Sequence, residues 1–404
     1  MKIYLGIFLF LFHINLVGQD KEFASRIISD LTSKTYKGRG YTHNGINKSQ
    51  QYIVNTLKSV GVKQIIQQPL KMPVSVIKKA NVKFDNIEAE LGKNIIIYPN
   101  SCSINGNYQI YKLTKNNLPS ILSNDYADKF VLFDTSISNN NDYSKEIRLL
   151  TQNNNIKARG FIVCKSKKIM QVQAHETKSW VIMEMDTTFI NAKNITINLR
   201  TKHIEQYKTA NIIALIKGET DSIIAFSAHY DHLGELGNIY FPGANDNASG
   251  VSMTIDIARE FALQKNKYTI ALMFFTGEEV GLVGSEYFVN HPLFNLNSIK
   301  YLFNLDVIGS GEKGITVVNG EEYKELMQQL QKINIDNHLQ LDIQARGTSN
   351  NSDHAPFYKK GTKAVFIYAK GKTGPYHHPE DNLANLSMEK YESIVKLLIL
   401  YTKQ

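Results

Sequence analysis

Five short segments carry histidine or carboxylate at one kind of place, the end of an apolar run or the turn beside it. SAHYDHLG, at 227–234, completes the run SIIAFSA and holds His229, Asp231 and His232. GANDNASG holds Asp246 just ahead of a helical run, and FFTGEEVG holds Glu278 and Glu279 behind a strand-like one. FNLDVIGS carries Asp306 at a strand end, and GPYHHPEDN carries His377 and His378 ahead of the last helical run. One such segment is an ordinary solvated loop. Five that supply His, Asp, Glu, Asp and His exceed what solvation explains. Imidazole nitrogen and carboxylate oxygen are the ligands zinc accepts, and a carboxylate, unlike a neutral imidazole, can bridge two cations. Two cations about 3.5–4 Å apart activate water and polarise a carbonyl for hydrolysis. Three carboxylates and two histidines suit such a pair. Adjacent Glu278 and Glu279 suggest divided labour, one binding metal and the other taking the proton of the attacking water. Asp231, two residues after His229, is close enough to orient its ring.

The elements that must position these groups are α/β in pattern. From Thr209 onward, strand-like runs (NIIALIK, IIAFSA, TIALMFF, YLFNLD, AVFIY) alternate with helical ones such as ASGVSMTIDIAREFAL and EEYKELMQQLQKI. That alternation predicts a mostly parallel mixed sheet covered by helices on both faces, with ligands beyond the carboxyl ends of the strands. Ahead of it, Phe23, Ile27, Ile28 and Leu31 recur at helical spacing, as do Ile46, Ile53, Leu57 and Val60 before Gly61. Between about Pro73 and Arg200 the texture becomes short β-rich runs separated by Asn- and Ser-rich turns. The expected organisation is therefore a leader at 1–19, a main domain at 20–72 and 206–404, and a β-rich inserted domain at 73–205.

The chain has 404 residues, 43% hydrophobic and 21% charged, an ordinary globular balance. Its formal charge of +9 comes from scattered lysines without a basic cluster, which argues against a nucleic-acid surface. Lys2, the apolar stretch Ile3–Leu16 and the small or polar residues Val17, Gly18 and Gln19 have the layout of a secretory signal peptide. The stretch falls short of the about 20 apolar residues a membrane span needs, so export to periplasm or medium without stable membrane insertion is expected. Export would permit Cys102 and Cys164 to pair, with two free thiols the alternative.

The ordered set SAHYDHLG, PGANDNASG, FTGEEVGLVGSEYF, NLDVIG, NSDHAPF and YHHPEDN resembles the secreted dizinc aminopeptidases, a family whose wider relatives include glutamate carboxypeptidase, glutaminyl cyclase and the transferrin receptor. The leading segment is similar too, and the insert resembles a protease-associated domain, so the resemblance covers nearly the whole chain after the leader. It implies a zinc exopeptidase fold, peptide substrates and two zinc ions. Carried over by position, His229 and Asp306 hold one zinc, Glu279 and His377 the other, and Asp246 bridges them. Glu278 becomes the general base, and Tyr376 polarises the scissile carbonyl or steadies the oxyanion. Asp353, in NSDHAPF, matches a segment near the site. His232 and His378 read as bystanders beside ligands, because adjacent strand-end side chains point to different sides, and Asn245 and Asn247 read as turn formers. Glutaminyl cyclase is the nearest rival activity. A carboxypeptidase would need a basic cluster for the substrate carboxylate, and the motifs contain none; a non-catalytic binding homologue would have lost ligands that are all present here.

Overall fold

A computed structural model of the chain describes residues 20–123, 125–166 and 174–404; the expected leader lies outside the described residues. The helix Lys21–Leu31 starts where the Asp20 carboxylate accepts hydrogen bonds from the amides of Glu22 and Phe23, and it buries Ala24, Ile27, Ile28 and Leu31. Gly45–Ser59 forms the next helix, with Ile46, Ile53 and Leu57 on its buried stripe.

The strands Ile223–His229 and Thr269–Phe275 are buried at every position. They lie parallel, with Phe275 paired to His229, and Ile299–Leu305 runs parallel on the other side of Ile223–His229. Ala364–Ala369 continues the parallel set, and Ile315–Val318 joins it antiparallel. Strands without a polar face need cover on both sides. Ile224, Phe226, Ala228 and Leu272 pack with Ile28, Leu57, Ile257 and Leu398 from four helices. On the opposite face Ala225, Met273 and Phe275 pack with Phe288 and Phe357. The mostly parallel, doubly covered sheet is the one the sequence pattern predicts.

The insert is joined to this sheet differently from the expected picture of a separate unit. Gln64–Phe84 and Asn194–Ile216 are two long antiparallel strands paired almost end to end. The expected boundaries at 72/73 and 205/206 fall inside them. Near one end of this ribbon Ile212–Ile216 pairs with Thr269–Phe275, and near the other Asn194–Leu199 pairs with Ile104–Leu113. One fourteen-stranded sheet therefore runs through both halves of the described chain. The insert keeps its own cores, one around Phe84, Phe130, Ile162, Met183 and Ile197, the other around Tyr126, Phe133 and Phe161. It is strand-rich as expected, with the parallel series Ile104–Leu113, Lys129–Phe133, Gly160–Cys164 and Val181–Met185 backed by the helix Ser144–Asn153. Cys102 and Cys164 are both free thiols.

Candidate metal centre

Three parallel strands release their chains at the same edge of the sheet. His229 is the last residue of its strand, the turn Thr276–Glu279 leaves the next, and Asp306 follows the third. The segment Ala244–Ala248, where Asp246 takes a non-helical φ of −111°, lies over that edge ahead of the helix Ser249–Phe261. His377, at φ +53°, comes in from the loop preceding the last helix.

His229 Nε2 stands 3.2 Å from Asp246 Oδ1 and 3.3 Å from Asp306 Oδ1. On the other side of Asp246, His377 Nε2 stands 3.2 Å from Oδ2 and 3.1 Å from Glu279 Oε2. The structure thus brings all five sequence-derived ligand candidates together around one aspartate. His232 joins them, with Nδ1 2.6 Å from Glu279 Oε1 and 3.9 Å from Asp246 Oδ1. Residues 230–234 are loop rather than strand, so the alternation that set His232 aside does not apply, and its ring faces the cluster. His378 accepts a hydrogen bond from the Glu380 amide instead. Asn245 and Asn247 hold the loop: their side-chain oxygens accept from the amides of Gly309 and Gly250.

The donor set fits cations. The ligand atoms of His229, Asp246 and Asp306 lie within 4.8 Å of one another, and so do those of His232, Asp246 and Glu279. Asp306 Oδ1 and His232 Nε2 are buried without a hydrogen-bond partner. Buried polar atoms of this kind call for a ligand, and a concentration of carboxylates in a water-poor space calls for positive charge. Burial works to raise the Asp246 carboxyl, yet hydrogen bonding from His229 and His377 draws it well below the usual carboxylate range. Glu279 is lowered to about 2: burial opposes this, but the charge of His377 outweighs it.

Glu278 stands outside both triads, its Oε2 4.0 Å from His229 Nε2. Burial pushes it well above the usual range; His229 opposes the shift, while the charges of Asp306, Asp353 and Glu279 add to it. Cations held by its neighbours would favour its ionised form and draw it back down toward the usual carboxylate range. Tyr376 stacks on the His377 ring at 3.8 Å between centroids and is 56% exposed, at the mouth of the site. Asp353 is buried, one oxygen accepting from Ser285 at 2.5 Å and the other unpartnered, and burial pushes it up to about 7.

Asp231 orients His229, but through its backbone. The ring Nδ1 is 3.1 Å from the Asp231 carbonyl and 3.7 Å from its carboxylate. That carboxylate instead accepts from the amides of Glu278 and Glu279 and from the Tyr41 hydroxyl at 2.6 Å. It ties the turn carrying both glutamates to the His229 loop. Sequence reasoning missed two supports. Asp381 is buried and accepts from the amides of Asn245 and Asp246 at 2.9 and 3.0 Å, fixing the bridging loop. Arg39, fully buried, donates to the carbonyls of Leu31, Pro242, Gly243 and Asp246. Arg39 stands between two glycines in YKGRG, which was the available signal, whereas Asp381 sits among other polar residues in YHHPEDN and nothing set it apart.

Comparison with known proteins fits this geometry. Residues 211–402 match the sequence model of Peptidase family M28. The aminopeptidase YwaD of Bacillus subtilis is 30% identical over 211 residues, 48% of this chain and 44% of that protein. The chain therefore spans less than half the length of that curated relative. A Peptidase M28 precursor from Shewanella amazonensis superposes with a TM-score of 0.75 at 16% identity, covering 95% of this chain and 93% of that one. The zinc aminopeptidase BSAP of Bacillus subtilis gives 0.74 at 18% identity, covering 95% of each chain. These likenesses extend the shared fold over the insert as well as the metal centre. Over residues 211–402, where strand ends and ligand-bearing loops meet, the chain is similar to peptidase family M28.

Proposed function

We propose that the chain is a metallo-aminopeptidase that removes the N-terminal residue of peptides with two zinc ions. His229 and Asp306 would hold one ion, Glu279 and His377 the other, and Asp246 both. The observation that carries this is Asp246 itself, with one oxygen turned to His229 and the other to His377. His232, against Glu279, is placed to orient that carboxylate. The family match and the names of the relatives support the same chemistry.

Zinc at this position would make water a competent nucleophile near neutral pH and polarise the scissile carbonyl. The residues of the chain do the rest. Glu278, outside both triads and raised by burial, takes the proton of the attacking water and delivers it to the leaving amine. Tyr376 at the mouth donates a hydrogen bond from its hydroxyl to the developing oxyanion. Asp231 holds Glu278 and Glu279 in position through their amides. The carboxylates of the cluster favour the free α-amine of a substrate, which limits cleavage to the first residue. The leader-like N-terminus supports a place outside the cytoplasm.

The test is zinc analysis of the purified chain, together with incubation against Leu- and Gln-terminated peptides with and without chelator. Two zinc ions and chelator-sensitive release of leucine are expected. Pyroglutamate without free leucine would instead point to a cyclase, and neither zinc nor product would sink the proposal.

A further inference from the structure

A cavity of about 500 Å³ lies in the insert, within the range of ligand pockets. Two buried acceptors among its lining residues have no partner. Glu184, 4% exposed, uses Oε1 to accept from Tyr98 and Lys165, both at 2.7 Å, while Oε2 is unpartnered. Asn100, 8% exposed, leaves Oδ1 unpartnered. Two such acceptors in one cavity, unpartnered among the described residues, call for N–H donors. Arg148, exposed on the rim, supplies a cation.

One wall of the cavity approaches the turn that follows Glu279. Its wall at Ala174–Lys178 is pinned to the ribbon, with the Ser75 amide donating to the Ala174 carbonyl and the Ser75 hydroxyl to the Glu176 carbonyl. From that wall His175 reaches the turn carrying Glu278 and Glu279: a Cβ on Gly281 would stand 3.7 Å from the ring. An extended peptide held by its first residue at the metals carries, downstream, amide N–H donors and a terminal carboxylate. Glu184 Oε2 and Asn100 Oδ1 match the donors, and Arg148 matches the carboxylate.

We propose that this cavity binds the peptide segment on the leaving side of the scissile bond, so that the insert selects short peptides over single-residue amides. The inference rests on the aminopeptidase reading. The experiment compares Leu-Ala-Ala-Ala with leucine p-nitroanilide, which lacks a downstream peptide, in the wild-type chain, Glu184→Gln and the surface variant Arg148→Ala. KM for the tetrapeptide rises about tenfold in each variant, the loss of one charge-assisted hydrogen bond, while kcat/KM for the anilide is unchanged. Equal shifts for both substrates, or no shift for the tetrapeptide, overturn the proposal.

A second readout does not need hydrolysis. Trp180, the only tryptophan, donates to the carbonyl of Thr151, a lining residue, at 2.9 Å. Adding Ala-Ala-Ala, the leaving fragment, should change Trp180 fluorescence saturably, and about tenfold more weakly in Arg148→Ala. No fluorescence change in the wild-type chain overturns the cavity assignment. If neither substrate is cleaved, the aminopeptidase reading fails, and fluorescence alone then decides whether the cavity takes peptides.

Discussion

Glu278 and Glu279 are chemically identical neighbours with opposite environments, and the difference is a matter of a few ångströms. Glu279 meets His232 and His377 and is drawn down, whereas Glu278 meets mainly other carboxylates and a buried wall and is pushed up. Their adjacency in FFTGEEVG already suggested divided labour; which glutamate does which follows in the sequence only from the resemblance, and these contacts support the proposed assignment. Glu278→Gln keeps the shape and leaves both triads intact. It should retain full zinc occupancy and lose about 10²–10⁴ in kcat, the usual worth of a positioned general base. Leucine release at near wild-type rate with bound zinc would remove Glu278 from that role. His232 shows the limit of reading at this scale. A rule for alternating strand residues was applied to a residue that had already left the strand.

At the scale of elements, what was legible was where strands end. Apolar runs of seven residues or so followed by a polar group announce a buried strand and its exit, and His229, Glu279 and Asp306 were placed by that logic alone. What holds the loops between those exits was not legible, because the contacts span large separations: Arg39 reaches carbonyls more than 200 residues away, and Asp381 fixes a loop about 135 residues earlier. No local pattern encodes such pairs. The ribbon was hidden for a related reason. Its strands mix exposed and buried positions along their length, so the change of texture near Pro73 read as a boundary although the backbone ladder passes through it. The Asp381 support has a measurable consequence. Asp381→Ala removes both acceptors from the Asn245 and Asp246 amides and frees the loop carrying the shared ligand, so zinc affinity should fall about 10–100-fold, as for other groups that orient ligands. Competition against a chromophoric chelator reads this directly. Activity should return at saturating zinc, since Asp381 does not touch the reacting atoms; unchanged affinity would mean the loop is held by other contacts.

Among the described residues one fourteen-stranded sheet joins separate cores, and every candidate ligand belongs to the peptidase side of it. Ile224, Phe226 and Leu272 sit under the metal centre, while Phe130, Ile162 and Met183 fill the insert at the other end of the ribbon. Binding stabilises only the part that folds around the ligand. Zinc at 100 times its Kd contributes about 2.7 kcal/mol, and for a unit of this size each kcal/mol moves the midpoint by about 2–4 °C. Chelation should therefore lower the melting of the metal-bearing core by roughly 5–10 °C. Trp180 lies in the insert, against Thr151, so its fluorescence follows the insert alone, while circular dichroism follows the chain as a whole. In chelator the circular-dichroism transition should shift downward and the Trp180 transition should stay in place, splitting what zinc had brought together. If both probes fall by the same amount, the two-stranded ribbon transmits cooperativity from end to end, and the insert is thermodynamically part of the peptidase core in spite of its own packing.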